Sequence, residues 1–444
     1  MNSAPYSDRQ LDSERQVVVT GLGVISPIGR NTEEFWEALA AGRSGISSFP
    51  LNGNPEACAG EIGDFSGRIQ DIGDLEEKLR KAVRKALKVM SRETQLGVAA
   101  AQQAFADSRL ADDEPDRSRI GVCFGAGYVA MMPEDFLSGV NACKDEQDSF
   151  EFDRWGTQGI PQIEPLWLLK CLPNMAACYA AIFNELRGPN NSITQGEAAA
   201  NLAVAEARRI IQDGEADAMV VGGTGNNILP CSLMHTMMDQ DVAPGGPEPA
   251  TVCRPFDRGR TGSVAGEGAA ALILEERSAA IRRGARIYAE ILGAGSSCVV
   301  NQSRVPDGAQ ALVNAMQATL RSAAVSPEAI GHVHAHGLSS HRCDIDEAVA
   351  IRRVFGDRAN TLPVVAAKSN VGNSGAGGGA IELVASILAM DRGHLFPVLN
   401  YEEPDPECPL APVTSSDVDA GGSFLNLSVS PQGQASCVAM RSAA

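Results

Sequence analysis

Two spacings of apolar residues alternate along the chain. Short, nearly continuous apolar runs bounded by Gly or charge read as buried strands: "RQVVVTGLGVISPIG", "RIGVCFGAG", "ADAMVVGGTG", "GAAALILEE", "IYAEILGAG", "HVHAHG" and "FLNLSVS". Between most of them lie segments with helical spacing: "PNMAACYAAIFNEL", "NLAVAEARRIIQDG", "GAQALVNAMQATLRSAAV", "DIDEAVAIRRVFG" and "GGAIELVASILAM". Alternation of this kind predicts helix-covered sheets in an α/β protein. No short-period repeat is visible, yet each half of the chain has a similar strand–helix order. The pattern therefore predicts two related α/β halves, with a boundary in "RPFDRGRTGSVAGEG": a polar tail over 1–15, a first half over 16–262 and a second over 263–444.

Local signals sharpen two helices. In "NTEEFWEALAAGRSG", Asn31 is a cap, Glu33 and Glu34 fill the first turn, and Gly42 ends the helix. The segment "EEKLRKAVRKALKVMSRETQLGVAAAQQAFADSRL" reads as strongly helical, with an apolar stripe through Leu79, Ala82, Val83, Ala86, Leu87 and Met90. Lys78, Lys81, Arg84, Lys85 and Lys88 populate its other faces. These cations form either a solvated face or a docking patch for an acidic partner.

Composition narrows the classes. At 444 residues the chain exceeds the usual size of one hydrophobic core, and its apolar share of 44% suits a globular protein. A formal charge of −18 argues against a general nucleic-acid surface. No apolar run approaches the roughly 18–20 residues that span a bilayer. The start "MNSAPYSDRQLDSERQ" lacks the apolar core of a signal peptide. Eleven Cys without any C-x-x-C spacing then favour reduced thiols in the cytoplasm over a disulfide framework.

Candidate chemistry is sparse. Gly21, Gly23 and Gly29 miss the G-x-G-x-x-G spacing of a dinucleotide site. His332, His334 and His336 fall at period two and could face a metal from one strand, but no further ligand set accompanies them. One functional His at a strand end is the better reading. The stretch "NSITQGEAAANLAVAEARRIIQDGEADAMVVGGTG" has the form of a tight turn, a helix and a buried strand, with Glu197 at the helix start.

The motifs "RPFDRGRTGSVAGEGAAALILEE", "LPNMAACYAAIFNELRGPN", "HAHGLSS" and "VVAAKSNVGNSGAGGGAIELV" occur in one order over nearly the whole chain. In these motifs the sequence resembles the β-ketoacyl-[acyl-carrier-protein] synthases of the elongating type. The resemblance implies a thiolase-like fold: two βαβαβαββ halves in a five-layer αβαβα sandwich, normally dimeric. It also implies a Cys nucleophile at a buried helix start, two His residues, and backbone N–H groups that hold the thioester oxygen. No cofactor or metal belongs to that chemistry.

Compared residue by residue, the resemblance is incomplete. Counting from Gly188-Pro189, the nucleophile position is Glu197, and "TQGEAAAN" holds no Cys or Ser to replace it. A carboxylate is a weak nucleophile and does not form a stable thioester, although a helix start favours an anion by roughly 0.3–1 kcal/mol. The first His corresponds to His336, with Leu338 and Ser340 in place of Thr residues that contact the pantetheine arm. The second His corresponds to Asn373 in "KSNVGN"; Asn donates a hydrogen bond but shuttles no proton. Lys368 remains, with Glu382 at the offset of its ion-pair partner. Where active relatives carry a "GFGG" gate, this chain has "SPQG", which sets Pro431, lacking an N–H, at the Phe position.

From these departures the expected function is that of a degenerate homologue resembling a chain length factor. Such a subunit pairs with an active ketosynthase, or with itself where none is present, and Lys81, Arg84, Lys85 and Lys88 would dock an acyl carrier protein. Its dimer face would include "LPNMAACYAAIFNELRGPNNSI". Two alternatives are a malonyl-carrier decarboxylase, since Glu is nearly isosteric with Gln, and a repurposed acyl-binding protein using Glu197 and His336 as an acid–base pair.

Overall fold

The computed structural model describes residues 15–50, 54–73, 75–128 and 132–443, so all but the last residue of the expected N-terminal tail lies outside the described residues. The first half supplies strands β1 (Val17–Ile25), β2 (Ile120–Gly125), β3 (Asn190–Ile193), β4 (Ala218–Asn226) and β5 (Glu267–Glu276). The second supplies β6 (Ala289–Cys298), β7 (His332–His334), β8 (Pro363–Val365), β9 (Ser423–Val429) and β10 (Gln434–Ser442). Within each half, strands lie in the order third, second, fourth, fifth, first. The fifth strand is antiparallel to both its neighbours, and the other pairings are parallel. The two halves are thus topological copies. A short ladder, Val18 opposite Glu290 and Val19 opposite Ala289, joins them edge to edge.

The helices that position the site are α1 (Glu77–Ala86), α2 (Arg92–Ser108), α3 (Met175–Phe183), α4 (Ala199–Gln212), α5 (Pro230–Asp239), α6 (Gly308–Ala323), α7 (His341–Phe355) and α8 (Gly378–Arg392). Helix α2 covers the outer face of the first sheet through β1, β4 and β5, with α3 packed beside it. Helix α6 covers the second sheet through β6 and β10, with α7 against α6. Between the sheets lie α4 and α8, each touching strands of both. This is the five-layer thiolase-like arrangement. Its middle layer explains "GGAIELVASILAM": a helix covered on every side has no polar face, and every residue from Gly378 to Met390 is buried. Every residue of β1, β2, β4 and β9 is buried too, as their unbroken apolar runs require.

Three expectations are corrected. The division expected at 262/263 is not where the sheet divides, because β5 completes the first sheet and the chain crosses over only between Glu276 and Ala289. The basic segment is not one helix. It ends at Ala86, passes through a 3-10 turn at Leu87–Val89, and restarts at Arg92 because the Ser91 side chain captures the Thr94 N–H. Lys88 therefore sits on the turn, off α1. The strand in "HVHAHG" stops at His334, which leaves His336 in the loop beyond it. The cap in "NTEEFWEALAAGRSG" matches its reading: the Asn31 side chain accepts from Glu34 N–H at 2.9 Å and the helix ends at Ala40, before Gly42. Among the described residues, no helix is long and apolar enough to cross a membrane.

Candidate active site

Glu197 lies in a 3-10 turn, Gly196–Ala198, that runs directly into α4. The φ of +53° at Gly196 belongs to the left-handed region, which turns the chain sharply from β3 into the helix. Glu197 is only 7% exposed. Its Oε1 accepts from Gln240 Nε2 at 2.9 Å and from Asn373 Nδ2 at 3.3 Å. Asn373 is held on its other sides: Oδ1 accepts from Gly375 N–H, and the main chain is bonded to Val264 and Gly266. That bond to Gly375 makes its Nδ2 the atom facing Glu197. An amide held in this way donates without titrating.

Behind this pair lies a second buried group. Lys368 Nζ donates to the His336 main-chain oxygen at 2.9 Å, lies 3.2 Å from His336 Nδ1 and is ion-paired with Glu382. An ammonium group only donates, so Nδ1 is the acceptor and the imidazole proton resides on Nε2. Burial, with the Lys368 charge beside it, holds His336 well below its ordinary value, so the ring is neutral. Its Nε2 has no hydrogen-bond partner among the described residues. Burial pushes Glu382 up, against the pull of Lys368. Glu197 and His336 are not hydrogen-bonded to each other, so the acid–base pair expected of them is not formed here.

The His336 loop is fixed from α7. Glu347 accepts the main-chain N–H groups of His336 and Gly337 at 2.6 and 2.8 Å, and Asp344 accepts from Leu338 N–H at 3.0 Å. Burial raises Glu347 to about 8 and Asp344 to about 6. Arg260, from "RPFDRGRTG", is buried between Asp344 and Asp405 at 3.5 and 2.6 Å. His332 and His334 are not arranged for a metal: both bond Ser386 Oγ, at 3.1 and 2.8 Å. No cluster of metal ligands occurs among the described residues.

The segment "SPQG" is the turn joining β9 to β10. Gly433 N–H donates to Ser430 O, and Ser430 N–H donates to Gln434 O at 2.8 Å. With Pro431 lacking a donor, neither 430 nor 431 offers a free N–H.

Two cavities meet here. One, of about 310 Å³, is lined by Leu338, Ser340, Met237, Arg342 and Pro431. The other, of about 250 Å³, is lined by Glu197, Glu93, His235, Asn226 and again Pro431. Asp239 and Gln240 line both. Among the expected site residues, Glu197 and Asn373 are joined in one buried group, His336, Lys368 and Glu382 in another, and Leu338, Ser340 and Pro431 line the cavities. Lys81, Arg84, Lys85 and Lys88 form a separate exposed surface, where Lys81 pairs with Glu77. Sequence reasoning missed Gln240 and Glu93. Glu93 carries a trace, a charge within the buried first turn of α2. Gln240 carries none, since its partner is 43 positions away.

The models "Beta-ketoacyl synthase, N-terminal domain" and "Beta-ketoacyl synthase, C-terminal domain" match residues 14–280 and 288–402. The 3-oxoacyl-[acyl-carrier-protein] synthase 2 of Synechocystis sp. is 34% identical over 89% of this chain and 90% of its own length. The protein of that name from Coxiella burnetii is 35% identical over 89% and 91%. Three solved structures each cover 97% of this chain and 100% of their own: a beta-ketoacyl synthase from Burkholderia phymatum STM815 (TM-score 0.83, 26% identity), the ishigamide ketosynthase/chain length factor (0.81, 27%) and the AntDE:AntF complex of a type II PKS acyl-carrier protein with its ketosynthase (0.78, 26%).

Proposed function

This chain belongs to the β-ketoacyl synthase family, and from that premise we propose that it is a member without condensing activity of its own, which pairs with an active synthase and helps shape the shared acyl tunnel as a chain length factor does. The observation that carries this reading is Glu197, buried at the nucleophile's helix start and held by Gln240 and Asn373. Condensation needs a thiolate at that point, two imidazoles and an oxyanion donor. Here the thiolate is a hydrogen-bonded carboxyl, the second imidazole is an amide, and the "SPQG" turn has its N–H at 430 occupied. His336 keeps one useful function, a neutral Nε2–H that can donate to a carbonyl.

Pairing has a candidate surface. Strand β3 is the outer edge of the first sheet and, among the described residues, pairs with β2 alone. Most of α3 is covered within the chain, but Ile182 is exposed, as are Phe152, Ile160, Leu166 and Leu168 nearby in sequence. An open edge beside apolar groups is a template for a second chain. The solved ketosynthase/chain length factor supports pairing of this kind, and the solved complex of an acyl-carrier protein with its ketosynthase supports a carrier partner, for which the exposed α1 cations are the proposed docking surface. The decarboxylase reading is weaker, because the cavity at Glu197 is lined by Glu93 and Asp239 and would repel a malonyl carboxylate.

The test is co-expression with a Cys-containing synthase of the same family, followed by size analysis and an elongation assay. A stoichiometric heterodimer whose product length changes when this subunit is exchanged is expected. A homodimer that ignores the synthase, or condensation by this chain alone, overturns the reading.

A further inference from the structure

A groove of about 640 Å³ lies between α1, the C-terminal half of α2 and the end of α3. It shares no lining residue with the two cavities at Glu197. Arg117, in its wall, precedes β2, whereas Gly127 and Tyr128, beyond the other end of that strand, line the Glu197 cavity. The groove's walls are largely apolar: Ile72, Leu75, Phe105 and Phe183 are each at most 8% exposed, and Leu79 stands beside them. Two donors in these walls lack acceptors. Among the described residues, Gln102, 8% exposed, has no hydrogen bond at Nε2, and Arg117 has none at Nη1. The half-buried Arg117 guanidinium lies 5.3 Å from the centroid of the Phe105 ring, and no carboxylate among the described residues pairs with it. Phe105 is three positions from Gln102 on α2, so both donors neighbour one ring. A buried donor without an acceptor bears the full loss of its hydration. The charged rim is balanced, with exposed Lys78 and Arg109 among Glu76, Asp112 and Glu185, and Arg117 is the one charge set inside it.

We propose that this groove binds an alkyl carboxylate, whose carboxylate accepts from Arg117 and Gln102 while its chain lies along Phe105, Phe183 and Leu79. A guanidinium fork matches the two oxygens of a carboxylate, and the charge on both partners strengthens the bond. The volume falls among small-molecule sites, about 300–1,000 Å³. The last torsion of a Gln side chain is broad, so the Gln102 amide can turn its Nε2 to the ligand at little cost. An inorganic anion would satisfy the donors and leave the apolar wall in water. A neutral alcohol would cover the wall and leave the guanidinium without a counter-charge. Ile182, exposed at the rim, is shared with the proposed pairing surface, but the two donors are not.

The proposal does not rest on the pairing role, since the isolated full chain is the sample and no synthase enters the assay. Calorimetric titration at about pH 8 and low salt compares octanoate, 1-octanol and acetate. Octanoate is expected to bind about tenfold or more tighter than octanol, as a charge-assisted bond implies, and acetate not to bind saturably. Arg117→Met and Gln102→Met should each weaken octanoate about tenfold while leaving octanol unchanged. Arg117→Lys, which keeps the charge without the fork, should fall between Arg117→Met and the unmodified chain. Glu197→Gln, in the other cavity, should leave octanoate binding as it is. Gln102→Met also removes a buried donor that has no partner, so its thermal midpoint without ligand should not fall. No saturable binding of octanoate, equal binding of octanol or acetate, unchanged octanoate binding in Arg117→Met, or its loss in Glu197→Gln overturns the proposal. Should Arg117→Met fail to fold, Gln102→Met and the comparison of octanoate with octanol decide it.

Discussion

Gln240 donates its side-chain amide to Glu197 Oε1 across 2.9 Å, at the wall shared by the two cavities. The bond fixes the Glu197 carboxyl against α5 and separates the cavity of Leu338 and Ser340 from the one lined by Glu93. A thiol in place of the carboxyl could not accept this bond comparably, so Gln240 is matched to Glu197.

That match predicts a measurable coupling. In a double-mutant cycle of Gln240→Ala and Glu197→Ala, followed by urea unfolding, the interaction energy should be about 1–3 kcal/mol, as for a hydrogen bond to a largely buried carboxyl. A coupling indistinguishable from zero would mean that the two side chains are only neighbours.

Much of this architecture is legible in the sequence, because burial on both faces leaves a one-dimensional trace. The apolar run of β4 and the all-round apolar surface of α8 both follow from sitting between layers. Glu197, Asn373, Lys368 and Glu382 were readable because each stands in a motif with fixed offsets. The break at Ser91 was not, since helix propensity on both sides is high and one hydroxyl decides the restart. The end of the first half at β5 escaped for another reason: a Gly-rich motif marks a loop, and only strand pairing shows to which sheet the next strand belongs. Gln240 and Glu93 reach the site through long-range packing, which no local pattern encodes.

The buried titratable groups set the pH dependence of stability. Glu93 and Glu347 have folded values of about 7 and 8 against an ordinary 4.5, so the folded state keeps their protons to higher pH than the unfolded chain. Their contribution is complete below about pH 4.5 and is lost as pH rises towards 7 and 8. His332 runs the other way: burial lowers it from 6.5 to about 4, so its contribution is complete above 6.5 and is lost as pH falls towards 4. Between about pH 4.5 and 6.5 the two carboxyls outweigh the one imidazole, so from these three groups stability should peak near about pH 4.5 and fall as the pH rises. Urea midpoints measured from about pH 5 to 9 check this, and Glu93→Gln should flatten the alkaline side by up to about 3 kcal/mol. A midpoint that rises steadily to pH 9 contradicts it.

The α1 surface offers a separate test. Arg84 and Lys85 are exposed on the last turn of the helix, while Lys81 is partly occupied by Glu77. Reversing Arg84 and Lys85 to Glu should weaken binding of an acidic acyl carrier protein by about tenfold or more at low salt, with the difference shrinking as salt is raised. Unchanged affinity at low salt would leave this helix as a solvated face.

Restoring the nucleophile alone should not restore condensation. Glu197→Cys places a thiol at the start of α4, where the helix dipole favours a thiolate, so slow alkylation is expected. It also releases Gln240 and Asn373 from their shared acceptor. Three deficits remain. Asn373 takes no proton, and general acid–base assistance is worth roughly 10²–10⁴ in rate. The turn at Ser430 and Pro431 has no N–H to spare, and one oxyanion donor is worth about 10²–10³. His336 is held neutral by burial and Lys368, so it donates from Nε2 but does not readily hold a proton it accepts. Such effects overlap and do not simply multiply, yet even with strong overlap the variant should fall several orders of magnitude short of a working synthase. Incubation with acyl- and malonyl-carrier, read by mass for the β-ketoacyl product, measures this directly. Turnover comparable to a Cys-containing synthase run alongside would show that neither Asn373 nor the "SPQG" turn limits the chemistry, and would reduce the difference from an active enzyme to Glu197 itself.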